Sequence, residues 1–159
     1  MTGVAVHFVD VYPLRFVVGG LETLILRRSA QVRCTGAWEA VHGHLEAGET
    51  PVDAALRELE EETGTRPTAF YNLSRAESFY LHRTDELALI PAFAAILDPA
   101  VEVVLSSEHD EQRWVSIADA VGVMAWPRER RALGDIEVLL GSGDAGPLED
   151  VLRVRFEEL

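Results

Sequence analysis

At 159 residues the chain is long enough to bury a core without disulfides or a structural metal, and too short for a second full domain. Its 48% hydrophobic and 26% charged residues exclude extensive disorder, and a formal net charge of -13 removes the attraction to phosphate backbones on which nucleic-acid binding rests. The single cysteine, Cys34, excludes an internal disulfide and a cysteine-rich zinc site, and is expected to be structural in a reducing compartment.

In chain order, Val4 to Val11 roughly alternate apolar and polar residues, and Leu24-Ile25-Leu26 follows the turn signal Gly19-Gly20, so two strands are expected. Residues 29–37 read as a loop leading into a short extended segment, Trp38 to Val41. The best helix runs from Thr50 to Thr63: Thr50 caps it, Pro51 suits its first position, Asp53 complements the N-terminal dipole, and Gly64 stops it. Phe70–Leu73, Glu77–His82, Leu87–Leu97 and Gln112–Val115 read as further strands. Ser116 with Asp119 opens a short helix, and Pro127 starts a longer one to about Leu140, with Leu133, Ile136 and Leu140 as its apolar face. Residues 141–147 resemble a linker, and residues 148–159 form a C-terminal extension in which Val151 to Phe156 could be helix or strand. The whole chain, 1–159, is expected to be a single domain. With no signal peptide and no apolar run of membrane-span length, a cytoplasmic protein without membrane contact is expected.

The chemistry lies in the first helix. Glu58, Glu61 and Glu62, spaced by three and four, project from one face about a turn apart, while Val52, Leu56 and Leu59 mark the core side. Three anions so placed repel one another, so either solvent screens them or cations bind them. Bound divalent cations would also let an acidic protein take polyphosphates, because the ions then become the largest local charges.

Gly43, five residues, Glu49, seven residues, and then Arg57-Glu58-Leu59-Glu60-Glu61-Glu62-Thr63-Gly64-Thr65 together resemble the Nudix box, with Thr65 standing where that family usually has an aliphatic residue. The likeness extends through Trp38 and Val41-His42-Gly43-His44 before the box to Leu105-Ser106-Ser107-Glu108-His109 and Trp114 after it, and is similar to the branch of dihydroneopterin triphosphate and dATP pyrophosphohydrolases. The resemblance implies a Nudix fold, an α/β/α sandwich with a mixed sheet between helices. It implies a metal-dependent pyrophosphohydrolase using Mg2+ or Mn2+, with Glu58, Glu61, Glu62 and the Gly43 carbonyl as metal ligands and Glu49 with Arg57 as a supporting pair.

The resemblance also implies that the base that accepts the water proton is Glu108, with Glu111 as a nearby competitor, and that Arg27 contacts phosphate. His44 is a further candidate for phosphate, and Trp38, Phe79, Tyr80 and Trp126 are candidates for stacking on a ring. Arg128, Arg130 and Arg131 read as a helix-surface cluster, and His7, His42, His82 and His109 as structural. The expected substrate is a (deoxy)nucleoside or dihydroneopterin triphosphate, with dinucleoside polyphosphates and nucleotide sugars as alternatives and a homodimer as the prior assembly. The rival class is a non-catalytic nucleotide-sensing module, against which the complete set of box carboxylates argues.

Overall fold

The computed structural model describes residues 1–156, so the end of the C-terminal extension, 157–159, lies outside the described residues. In chain order the strands and helices are β1 (Gly3–Val6), β2 (Phe8–Val17), β3 (Gly20–Arg28), β4 (Trp38–Glu39), β5 (Val41–His44), α1 (Pro51–Thr63), β6 (Ala69–Leu81), β7 (Glu86–Ile96), β8 (His109–Ser116), α2 (Ile117–Val123), α3 (Pro127–Leu140), α4 (Glu149–Leu152) and β9 (Arg153–Val154). They form one open sheet with the order β4-β3-β2-β7-β6-β9, to which β5 adds on β2, β8 on β3 and β1 on β7. The sheet is mixed, because β2 and β1 run parallel to β7 while the other pairings are antiparallel.

Side chains alternate across a strand, and this alternation divides the core in two. Val9 and Val11 of β2, Leu24 and Leu26 of β3, and Phe93 and Ala95 of β7 pack with Ala54, Ala55 and Leu59 of α1. The intervening residues, Tyr12 and Leu14, Ile25, and Ala92 and Ala94, pack with Leu133, Ile136 and Leu140 of α3 on the opposite face. The expected sandwich is therefore what the chain adopts, with α1 on one side and α2, α3 and α4 on the other. Leu59, fully buried beneath the box, contributes about 1.5–3 kcal/mol to seating α1 on the sheet.

The local signals of α1 operate as read. The Thr50 hydroxyl accepts from the Asp53 N–H at 3.2 Å and the Asp53 carboxylate accepts from the Thr50 N–H at 3.1 Å, while Gly64 closes the helix at φ 68° and donates to the Glu60 carbonyl at 2.8 Å. Thr65, the one departure in the box, is buried, and its hydroxyl pairs with that of Thr63 at 2.6 Å.

Four expectations change. The alternation from Val4 to Val11 covers two strands, β1 and the start of β2, rather than one, and each pairs with its own stretch of β7. Phe70–Leu73 and Glu77–His82 belong to one long strand, β6, whose register with β7 shifts between Asn72 and Ala76, where Ser74 takes φ 53° and its N–H donates to Asn72 Oδ1 at 2.9 Å. Residues 141–147 form a turn rather than a linker: Ala145 is buried and its N–H donates to Glu149 Oε2 at 2.9 Å. Within the extension, α4 and β9 return the chain to β6, where Tyr71 Oη donates to Glu149 Oε1 at 3.0 Å. Among the described residues, no helix is long and apolar enough to cross a membrane.

Candidate active site

Arg57 organises the box. Its Nε and Nη2 donate to the two Glu49 oxygens at 2.7 and 2.9 Å, Nη2 also donates to the His44 carbonyl at 2.8 Å, and Nη1 donates to Glu58 Oε1 at 2.8 Å and Glu61 Oε2 at 3.2 Å. One planar donor fork thus ties the end of β5, the carboxylate before α1 and two carboxylates on it. The Arg57 hydrogen bonds, helped by the Glu46 N–H, hold the Glu49 carboxyl down to about 2.

The three helix glutamates lie in different surroundings. Helical rotation puts Glu61 about 60° to one side of Glu58 and Glu62 about 40° to the other. Glu61 accordingly faces solvent, with its side chain 57% exposed, while Glu62 turns inward and its side chain is 4% exposed. Burial, reinforced by the charges of Glu58, Glu39 and Glu108, raises the Glu62 carboxyl well above its usual range, and burial also raises Glu58. Glu62 Oε2 is enclosed and has no hydrogen-bond partner.

Gly43, on β5, lies against Glu58: a Cβ there would sit 1.9 Å from Glu58 Cδ. The glycine is required so that the Glu58 carboxyl can lie against the strand. Among the described residues, no group of three or more His, Cys, Asp or Glu side chains stands preassembled to hold a metal ion. Arg57 holds Glu58 and Glu61, while Glu62 faces the core. Hard oxygen donors, an orphaned buried carboxylate oxygen and a close backbone approach nevertheless fit a magnesium- or manganese-sized ion better than they fit a closed all-protein core.

Glu108 is exposed on the loop before β8; its charge raises Glu58 and Glu62, and among the described residues its carboxylate has no hydrogen-bond partner. Its competitor Glu111 is engaged instead by Arg27 at 2.7 Å and Arg113 at 2.6 Å. Arg27, expected at phosphate, is occupied by Asp110 and Glu111, both at 2.7 Å. The adjacent residue, Arg28, is the one that lines a cavity of about 530 Å³ beside the box, together with His42 and His44.

That cavity is lined by the aromatic rings of Phe8, Phe79 and Trp126 and by the cations Arg33, Arg83 and Arg128. Phe79 and Trp126 meet edge to face at 6.4 Å, whereas two other stacking candidates point elsewhere. Trp38 packs against the α3-side core with Arg113 over its ring, and Tyr80 Oη donates to Asp85 at 3.1 Å. Cys34 is exposed and lines the cavity rather than the core.

The anchor behind two of the lining side chains, His42 and Arg128, was not legible as such in the sequence. Asp10, fully buried on the α3 side of β2, accepts Arg128 Nε at 2.7 Å, Arg128 Nη2 at 3.1 Å and His42 Nδ1 at 2.7 Å. Burial alone would raise the Asp10 carboxyl, but hydrogen bonds from His42 and Arg128 outweigh it and hold the group ionised. Arg128 is thus no surface cation; it is pinned over Trp126, 5.1 Å from the ring centre, and only Arg131 of its neighbours makes the expected surface pair, with Glu77 at 3.2 Å. The Val9-Asp10-Val11 pattern, a lone carboxylate within an apolar strand, was the available signal.

Comparison with known proteins places this geometry. The sequence profile of the NUDIX domain matches residues 9–136. The asymmetrical bis(5'-nucleosyl)-tetraphosphatase of Rattus norvegicus is 33% identical over 102 residues, which are 63% of this chain and 67% of the relative. The octanoyltransferase of Myxococcus xanthus is 40% identical over 88 residues, 54% of this chain but 24% of that protein, so the chain spans about a quarter of that relative's length. Among solved structures, a Caenorhabditis elegans (C. elegans) Ap4A hydrolase binary complex superposes with TM-score 0.72 at 22% identity, covering 86% of this chain and 98% of that one. The E. coli dihydroneopterin triphosphate pyrophosphohydrolase superposes with TM-score 0.67 at 22% identity, covering 82% and 94%. At that identity the two structures share the fold.

Proposed function

Because the chain belongs to the NUDIX domain family, we propose that it is a phosphoanhydride hydrolase acting on a nucleotide polyphosphate at the Arg57-organised carboxylate face of α1. The observation that carries this reading is the junction of two features: carboxylates held beside Gly43, and a cavity lined by aromatic and cationic side chains to which His42 and His44, on either side of Gly43, contribute.

Glu58, Glu61, Glu62 and the Gly43 carbonyl would hold Mg2+ or Mn2+, which when bound neutralises phosphate charge and lowers the pKa of water. Glu49 and Arg57 hold the ligands in place: the guanidinium fixes Glu58 and the backbone at His44 together. Glu108, exposed on the loop before β8, accepts the proton of the attacking water. His44 and Arg28, on the cavity wall nearest the box, receive the phosphate chain, and Phe79 with Trp126 takes the ring. Arg27 is not carried forward as a phosphate contact, since two carboxylates already occupy it.

Two substrate classes are supported differently. A dinucleoside tetraphosphate draws support from the rat relative at 33% identity. A dihydroneopterin or nucleoside triphosphate draws on the wider likeness around the box, with a shared fold at 22% identity beside it. The test is product release from a panel of both classes with and without Mg2+, in the native chain and in Glu61→Gln. The expected outcome is metal-dependent cleavage lost in the variant; equal ligand binding without turnover in either protein would instead mark a sensing module.

A further inference from the structure

A buried polar chain runs behind the box, and the reaction as described leaves its two middle members, Glu39 and His109, without a task. Arg28 Nη1 donates to Glu39 Oε1 at 2.7 Å, and His109 Nε2 meets the same oxygen at 3.1 Å. The other ring nitrogen, His109 Nδ1, lies 3.9 Å from Glu62 Oε2. Both of these last atoms are enclosed and, among the described residues, without hydrogen-bond partners, and the side chains of His109, Glu39 and Glu62 are 0%, 3% and 4% exposed. Two buried polar atoms that each lack a partner, and that face one another just beyond bonding distance, are mutually the cheapest remedy for each other's desolvation.

The backbone goes out of its way to create this meeting. On β3, Leu24, Leu26 and Arg28 point to the α1 side of the sheet, and Glu39, opposite Leu26, points the same way. On β8, Trp114 shares that side, so strict alternation would turn His109 to the other. The pairing instead skips Asp110: Arg27 faces Glu111 and Arg28 faces His109. The one-residue bulge reverses the alternation and brings His109 beneath α1.

Resting on the reading of Glu62 as a metal ligand, we propose that His109 is a positioning residue for the metal site: anchored by Glu39 through Nε2, it engages Glu62 Oε2 through Nδ1 and leaves Glu62 Oε1 to face the ion. The contact requires only that the two atoms close the remaining gap. Such an outer contact restricts the rotation of a ligand that would otherwise have to be ordered when the ion arrives.

The test uses the full chain without nucleotide and reads Mn2+ affinity from the free-ion electron paramagnetic resonance signal, with thermal melting of each metal-free variant as the folding control. In His109→Gln the amide reaches the Nε2 position and can keep Glu39 but not Glu62; in His109→Asn it occupies the Nδ1 position and can keep Glu62. Mn2+ binding is expected to weaken about 10-fold or more in His109→Gln, with most of that loss recovered in His109→Asn. Glu39→Gln, which removes the anchor's charge at constant shape, is expected to weaken binding as well and carries the test if the histidine variants do not fold. Unchanged affinity in His109→Gln or in Glu39→Gln, or equal weakening in folded Asn and Gln variants, overturns the proposal. Glu62→Gln separates the two levels: if it binds Mn2+ as the native chain does, the assignment of Glu62 as a ligand is what fails.

Discussion

Gly43→Ala puts the tightest contact of the site under strain. The added Cβ would lie 1.9 Å from Glu58 Cδ, 2.2 Å from Oε1 and 2.4 Å from Cγ, whereas carbon atoms in contact settle at about 3.5–4.0 Å. The Glu58 carboxyl must therefore move by more than about 1 Å, which also breaks its 2.8 Å bond from Arg57. A displacement of that size at a reacting centre costs on the order of 100-fold in rate. The fold should survive, because the obstructed atoms belong to a side chain and not to a strand: overpacking of about 1–3 kcal/mol corresponds to about 2–4 °C of Tm per kcal/mol in a chain of this size. The assay is kcat for the best substrate at saturating Mg2+, alongside thermal melting. A parallel measurement in a Glu58→Ala background isolates the contact, since there the new methyl group meets open space and should add little further loss. Native turnover in Gly43→Ala, or the same additional loss in both backgrounds, would refute the claim that this glycine exists to seat Glu58.

Asp10→Asn should cost about 3–5 kcal/mol at neutral pH, because it leaves the buried Arg128 without its counter-charge. The Asp10 carboxyl is held below its ordinary value of 3.8, so its stabilisation is present above that pH and is lost as pH falls through the lower folded value; the gap between native and variant denaturation midpoints should narrow there, and a constant gap would contradict the pairing. Burial, with the hydrogen bond to Glu149, pushes the Tyr71 hydroxyl up to about 12, from 10.0 ordinarily. The folded chain thus keeps a proton that the unfolded chain releases, and stability falls as pH rises from 10.0 towards about 12; Tyr71→Phe should flatten this alkaline limb in circular-dichroism melts, and an unaltered limb would assign it to another group.

The sequence carried the fold wherever local chemistry and periodicity agreed. The Thr50 cap, Pro51 and Gly64 bounded α1 to within a residue, and apolar runs between turn signals placed β3 and β7, whereas the alternation from Val4 to Val11 ran β1 and β2 together. It was less informative where long-range pairing decides. Nothing local distinguishes β6 as one bulged strand from two short ones, because its register shift is defined only against β7. The same holds for the site. The spacing of Glu58, Glu61 and Glu62 announced an acidic face, but their unequal burial follows from how α1 seats on the sheet. Arg128 looked like one member of a basic cluster because its partner, Asp10, is distant in sequence and meets it only when α3 covers β2. His109 read as structural for the same reason: the bulge that aims it at Glu62 is invisible until β8 is laid against β3.

The cavity draws its walls from separate parts of the chain. Phe79, Leu81, His82, Arg83 and Thr84 belong to the β6–β7 hairpin, Trp126 and Arg128 to the start of α3, and none of these residues lies within the stretch that holds the box. Under the proposed function, most of the recognition surface and the carboxylates on α1 come from different stretches, and exchanging the hairpin tip is expected to change the group accommodated while the carboxylates stay as they are. A library confined to residues 79–84 is a compact way to redirect this scaffold.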